Sequence, residues 1–135
     1  MKKQPMLLVA EDDADDQYFF LEAAALACPA DVQTHLTWDG ASLLKIMRER
    51  SQQTRGPKLI VLDLNMPLRD GRTTLQELKA DPCLADIPVA ILTTSDNPDD
   101  AEYCLSHGAV AYYRKPGSIM ELVTIVRMLY KSYLQ

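Results

Sequence analysis

Five side chains of this sequence could do chemistry together: Glu11, Asp12, Asp63, Thr93 and Lys115. Each stands at the end of a short apolar run. Residues 6–10 lead to Glu11 and Asp12, 59–62 to Asp63, 87–92 to Thr93, and 110–113 to Arg114 and Lys115. Two like charges about 4 Å apart repel by about 4 kcal/mol at an effective dielectric of about 20. Three clustered carboxylates must therefore share protons or recruit a cation. All-oxygen donors suit Mg²⁺, which keeps several waters and bridges to phosphate oxygens. A carboxylate nucleophile, a hard dication, an ammonium and a hydroxyl make a phosphoryl-transfer site. Asp63 attacks, and the cations hold the developing charge. Taken singly, a turn acid, a loop threonine and a solvated lysine have duller explanations. Their joint placement at the ends of apolar runs is what favours the chemistry.

Those runs must be strands that end on one edge. Residues 59–62, Leu-Ile-Val-Leu, are apolar on both faces, as suits a central strand of a parallel sheet. In open α/β sheets, ligands gather beyond the carboxyl ends of the strands. Residues 6–10 form the first strand, 32–37 the second, 87–92 the fourth and 110–113 the fifth. Between them lie helical patterns. The first runs to about Cys28, with Pro29 stopping it. Asp15 and Asp16 fall in its first turn, where the helix dipole is sufficient reason for them. Asp39 can cap a second helix over 41–50. Residues 51–57 read as a polar loop. Asp70-Gly71 is a turn signal before a third helix over about 73–80. Asn97-Pro98 reads as the N-cap and first residue of a fourth helix, and Gly108 as its C-terminal stop. Ser118 with Glu121 three residues on is a capping box that opens a last helix running almost to Gln135. Strand and helix alternate five times, which implies one doubly wound, five-stranded parallel sheet of the α/β class, with right-handed crossovers.

Length and composition narrow the function. The chain has 135 residues and reads as a single domain over 1–135, with no internal linker or repeat. Its net charge of −5 speaks against binding a nucleic-acid backbone. No apolar run approaches the roughly 20 residues of a membrane span. The charged start, Met1-Lys2-Lys3, precedes too short an apolar stretch for a signal peptide. Cys28, Cys83 and Cys104 have no metal-ligand spacing and read as reduced, mostly buried thiols of a cytoplasmic protein. His35 and His107 lie away from the strand-end edge. Trp38, Phe19 and Phe20 read as packing residues.

Glu11-Asp12 after the first strand, Asp63 with Met66-Pro67 and Gly71, Thr93 after the fourth strand, and Lys115-Pro116 after the fifth together resemble the receiver domain of bacterial two-component response regulators. The resemblance covers nearly the whole chain. It implies a flavodoxin-like sheet of order 2-1-3-4-5 and no effector domain. Asp63 would be the phosphoacceptor for a sensor histidine kinase. Asp12, Asp63 and the Asn65 carbonyl would hold Mg²⁺, with Glu11 acting through water. Thr93 and Lys115 would contact the phosphoryl group. Thr93 and Tyr112 would be the switch pair, moving a surface of helix four, strand five and helix five that signals to a downstream protein target. A cis Lys115–Pro116 bond is also implied. Among relatives, the chain is most similar to the stand-alone receivers that serve phytochrome-type histidine kinases. It departs from the family pattern at Gly117, where many members carry an aromatic, and at Thr94, which is bulkier than the residue common there. Asn65 and Ser95 occupy positions that influence phosphate lifetime in the family.

Two other readings compete. A Mg²⁺-dependent phosphohydrolase that forms an aspartyl-phosphate usually has a second acid two residues after the nucleophile. Asn65 stands there and cannot serve, and the chain has no room for a substrate cap. A degenerate receiver would lack a site residue, and none is missing. In the last helix, Ile119, Leu122, Val123, Val126, Leu129, Tyr130 and Tyr133 make one apolar face at helical spacing. Met120, Ile125, Met128 and Leu134 fall largely outside it. With Tyr112 and Tyr113 on the neighbouring strand, they predict a two-fold homodimer through the C-terminal helix region.

Overall fold

The structure is a computed structural model that describes residues 4–50, 56–66 and 70–135. The polar loop expected at 51–57 therefore lies mostly outside the described residues, as do Pro67 and residues 1–3. Five strands, β1 (Met6–Ala10), β2 (Gln33–Thr37), β3 (Lys58–Leu62), β4 (Val89–Thr93) and β5 (Ala111–Arg114), form one parallel sheet of order β2-β1-β3-β4-β5. Composition explains the order. The runs β1, β3 and β4 are apolar on both faces and occupy the buried centre, whereas β2 and β5, with Gln33, His35, Tyr112 and Arg114, take the half-exposed edges. The start of β2 and both ends of β4 and β5 differ from the sequence expectation by one or two residues, as strand ends commonly do.

Successive strand residues face opposite ways, so each central strand feeds two cores. Ile60 and Leu62 pack with Leu43, Leu44 and Met47 of α2 (Gly40–Arg50) and with Leu75 and Leu78 of α3 (Gly71–Ala80). Leu59 and Val61 pack with Phe20, Ala23 and Ala24 of α1 (Ala14–Ala27) and with Leu122, Val123 and Val126 of α5 (Ile119–Leu129). Each fully buried aliphatic side chain contributes about 1.5–3 kcal/mol. The remaining helix, α4 (Pro98–Ser106), sends a single buried residue, Cys104, into the first core.

Short polar side chains start the helices. Asp13, Asp70, Asn97 and Ser118 each accept a hydrogen bond from an amide in the first turn of α1, α3, α4 and α5, and Asp39 accepts one from Ser42. Gly108, at φ 101°, follows α4 in the left-handed conformation that glycine tolerates. Asp70-Gly71 is not the expected turn. Asp70 is the N-cap and Gly71 the first residue of α3, because the helix starts against the end of β3. A Cβ on Gly71 would lie 2.2 Å from the Asp63 carbonyl oxygen.

Three further expectations are corrected. Trp38 is 56% exposed and does not pack. Of the three cysteines only Cys104 is buried, Cys28 being half-buried and Cys83 exposed. The last helix leaves α-helical winding after Leu129 and continues as a π-helical turn over Tyr130–Leu134, which returns Leu134 to the core. Among the described residues, no helix is long and apolar enough to cross a membrane.

Candidate functional site

The sheet register carries the acids and the lysine to one edge. Ala10 pairs with Leu62, so Glu11 and Asp63 leave adjacent strands at the same level. Thr93 pairs with Arg114, which puts Lys115 one residue past the end of β4. Each of these residues hangs its backbone amide on the last carbonyl of a neighbouring strand: Glu11 on Thr37 at 3.0 Å, Asp63 on Ala10 at 3.1 Å, Lys115 on Thr93 at 2.8 Å. The positions are thus set by the sheet itself.

Side chains then converge. The Lys115 ammonium donates to Glu11 Oε1, to Asp16 Oδ2 at 2.7 Å and to Asp63 Oδ2 at 3.1 Å. The other Asp63 oxygen, Oδ1, accepts from the Asn65 amide at 3.2 Å. Glu11 Oε2 accepts from the Asp13 amide at 3.1 Å. Glu11 and Asp63 are each only 4% exposed. Burial is the chief cause that raises the Glu11 pKa to about 7, with the Asp63 charge adding to it and the Lys115 and Asp13 hydrogen bonds opposing it. Burial also works against the Lys115 charge, but hydrogen bonds to Asp16 and Glu11 and the charge of Asp63 prevail and raise its pKa.

Carboxylate oxygens of Glu11, Asp12 and Asp63 lie within 4.8 Å of one another. That is a hard, all-oxygen donor set with more negative charge than one ammonium balances, so it fits a divalent cation. A cavity of about 40 Å³ reaches Glu11, Asp16, Asp63 and Lys115 at one side and is otherwise walled by apolar side chains, Phe19, Phe20, Leu92 and Leu122 among them. It has room for water-sized groups.

Residues 7–127 match the sequence profile of the response regulator receiver domain. The chain belongs to that family. Response regulator Rcp1 of Synechocystis sp. is 30% identical to it over 132 residues, 96% of this chain and 88% of that protein. The structure of the Mn²⁺-bound form of Rcp1 superposes with a TM-score of 0.78 at 30% identity, covering 93% of this chain and 91% of that one. The phosphorylated cyanobacterial phytochrome response regulator RcpA superposes with a TM-score of 0.84 at 32% identity, covering 96% and 94%. Transcriptional regulatory protein PrrA of Mycobacterium tuberculosis is 36% identical over 125 residues, which are 93% of this chain and 49% of PrrA. The chain spans about half the length of that longer relative. Receivers of this family are signalling switches, and the doubly wound order found here is theirs.

Of the residues that the sequence nominates in this receiver, Glu11, Asp12, Asp63 and Lys115 come together. Thr93 is fully buried at the end of β4, and its Oγ1 accepts from the Ser95 amide at 3.4 Å. The Asn65 side chain donates to Thr94 Oγ1 at 3.2 Å. Tyr112 is half-buried, and its hydroxyl donates to the Ser95 carbonyl at 3.4 Å. The implied cis Lys115–Pro116 bond is a correction: the described residues contain no cis peptide, so the bond is trans. The trans form is intrinsically favoured by about 0.5–1 kcal/mol. His35 lies on the edge strand β2, and His107 stacks on Tyr103 at a ring separation of 3.9 Å, so both histidines are away from the acids.

Sequence reasoning missed three contributors. Asp16 holds Lys115, though its place in the first turn of α1 already had a helix-dipole explanation. Buried Gln17 donates to the carbonyls of Glu11 and Thr37, fastening the acidic loop to the ends of β1 and β2. Arg72 pairs with Asp100, whose second oxygen accepts from Ser95 Oγ, so α3 and α4 are tied to the loop after β4. Gln17 stands six residues after a strand-end acid in a polar Asp-Asp-Gln stretch, and its burial exists only in the folded chain.

Proposed function

We propose that this receiver accepts a phosphoryl group from a sensor histidine kinase on Asp63, in a Mg²⁺-dependent reaction. The observation that carries the reading is a single ammonium, Lys115, bonded at once to Glu11 and Asp63, with Asp12 alongside. An Asp63 oxygen attacks phosphorus, the bond from phosphorus to the kinase imidazole breaks, and the imidazole nitrogen keeps the electron pair and takes a proton. Lys115 offers its charge to the phosphoryl oxygens, and the Thr93 hydroxyl gives up the Ser95 amide to reach them. Asp12, Asp63 and the Asn65 carbonyl would hold the metal, with Glu11 acting through water. When bound, Mg²⁺ would neutralise the acids and stabilise charge that develops on the transferring group. Hydrolysis of the acyl phosphate then resets the switch, so turnover is self-directed only. The residues flanking that step, Asn65 and Ser95, carry no acid that would serve a phosphohydrolase.

Movement of Thr93 would free Ser95 and draw Tyr112 after it, altering α4, β5 and α5 for a downstream protein target. The likeness to RcpA, a cyanobacterial phytochrome response regulator, supports a phytochrome-type kinase as partner, and the setting proposed with it is cytoplasmic. Association of two copies through the C-terminal helix region belongs to the same proposal on a smaller basis than the sequence suggests. Leu134 is buried and Ile125 half-buried, which leaves Met120 at 64% and Met128 at 50% exposure for a partner copy. Sedimentation with and without a phosphate mimic tests that part; a monomer in both conditions removes it. The central test is incubation with a candidate kinase and labelled ATP. Label is expected on wild type and not on Asp63→Asn. Undiminished label on the variant would overturn the assignment.

A further inference from the structure

We propose that Asp16 is a positioning residue that keeps the Lys115 ammonium beside Asp63 once a divalent cation occupies the acid cluster. The inference rests on the metal-site reading above and deepens it. An ammonium has three donors, and Lys115 directs them to three different carboxylates, on Glu11, Asp16 and Asp63. Two of those carboxylates, Glu11 and Asp63, are also members of the candidate metal cluster, and Asp16 is not. A dication and an ammonium that share the same acids repel each other and compete for the same lone pairs. Asp16 gives the ammonium an acid that the metal does not take.

The placement of Asp16 suits the task. Its backbone amide is fixed by the cap residue Asp13 at 3.0 Å, and its side chain is 42% exposed, so its own desolvation is modest. Asp15, one residue earlier in the same first turn, is also exposed but is not among the carboxylates that Lys115 meets. Asp15 therefore shares the helix-dipole and overall-charge effects of Asp16 and lacks the ammonium contact.

Without Asp16, Lys115 falls back on Glu11 and Asp63 and neutralises acids that the dication needs. Mg²⁺ titrations by calorimetry test this on wild type, Asp15→Asn, Asp16→Asn, Lys115→Gln and the Asp16→Asn/Lys115→Gln double variant. Asp16→Asn should weaken Mg²⁺ binding by roughly three- to tenfold and Asp15→Asn by less than about twofold, the size of a screened surface charge. In the Lys115→Gln background the Asp16→Asn loss should shrink to the Asp15→Asn level. Equal effects of the two aspartate changes would overturn the inference, as would an Asp16→Asn loss that persists at full size without Lys115. Either result leaves the metal site standing. Wild type that binds no Mg²⁺ overturns both readings.

Discussion

The acid edge at the ends of β1 and β3 and the face built from α4 and β5 are constructed in opposite ways. At the acid edge, Glu11 and Asp63 are buried, their amides are locked to neighbouring strands, and their side-chain oxygens have partners. On the other side, α4 buries one residue, β5 buries none, and Leu105 and Val110 are 50% and 40% exposed. Phosphoryl transfer needs groups held at fixed positions. A switch needs an element whose rearrangement costs little, and such elements have few buried apolar contacts. The two regions meet at Ser95, whose amide, hydroxyl and carbonyl engage Thr93, Asp100 and Tyr112 respectively.

The largest contrast is chemical. Asp63→Asn should abolish phosphoryl incorporation from a small phosphodonor, while Leu105→Ala on the exposed side of α4 should leave it intact, by quantitative gel assay. The next contrast is in stability. Leu62→Ala in the core behind the acid edge should cost about 2–5 kcal/mol in urea unfolding, and Leu105→Ala less than about 0.5 kcal/mol. Comparable costs would mean that α4 is as firmly packed as β3.

A smaller effect separates the regions by pH. Glu11 has a folded pKa of about 7 against 4.5 ordinarily, so folding takes up a proton. The stability due to this group is fully present below about pH 4.5 and is lost as the pH rises through about 7. In chelator, the melting midpoint of wild type relative to Glu11→Gln should fall between about pH 5 and about pH 8. Saturating Mg²⁺, which binds the deprotonated acids, should flatten that slope. A relative midpoint that climbs over the window would contradict the burial argument. The smallest expected effect is on the link itself. Asp100→Asn, which weakens the Arg72 and Ser95 contacts, should speed amide exchange in α4 and leave β1 and β3 unchanged. Faster exchange in β3 would show that the two regions are not separable.

Much of this was legible because apolar runs that end at an acid or a threonine mark strand ends, and a parallel sheet aligns those ends. Glu11, Asp63 and Thr93 follow from that rule, and Lys115 from its place just past the fifth apolar run. What escaped depends on contacts across long stretches of chain. Asp16 and Lys115 are 99 residues apart, and Arg72 and Asp100 are 28 apart. Asp16, Arg72 and Asp100 are charged residues on helices, where a solvated or dipole-facing position is an adequate local explanation. Gly71 read as a turn because its closeness to the Asp63 backbone exists only after the strand and helix have met. Leu134 was placed outside the apolar stripe because the stripe assumed 3.6 residues per turn to the end.

That last departure can be put in terms of insertion and deletion. In a π-helical turn, bonding runs from residue i to i+5, here from the Gln135 amide to the Tyr130 carbonyl at 2.9 Å. Leu129 and Leu134, five apart, are both buried. The π-turn places one residue more between the two leucines than α-helical winding needs. Removing exposed Ser132 would bring the second leucine to four residues after Leu129, where ordinary winding stacks it on the same face. A shortened chain should melt at an unchanged midpoint by circular dichroism, and a lower one would mean that the π-turn is itself required.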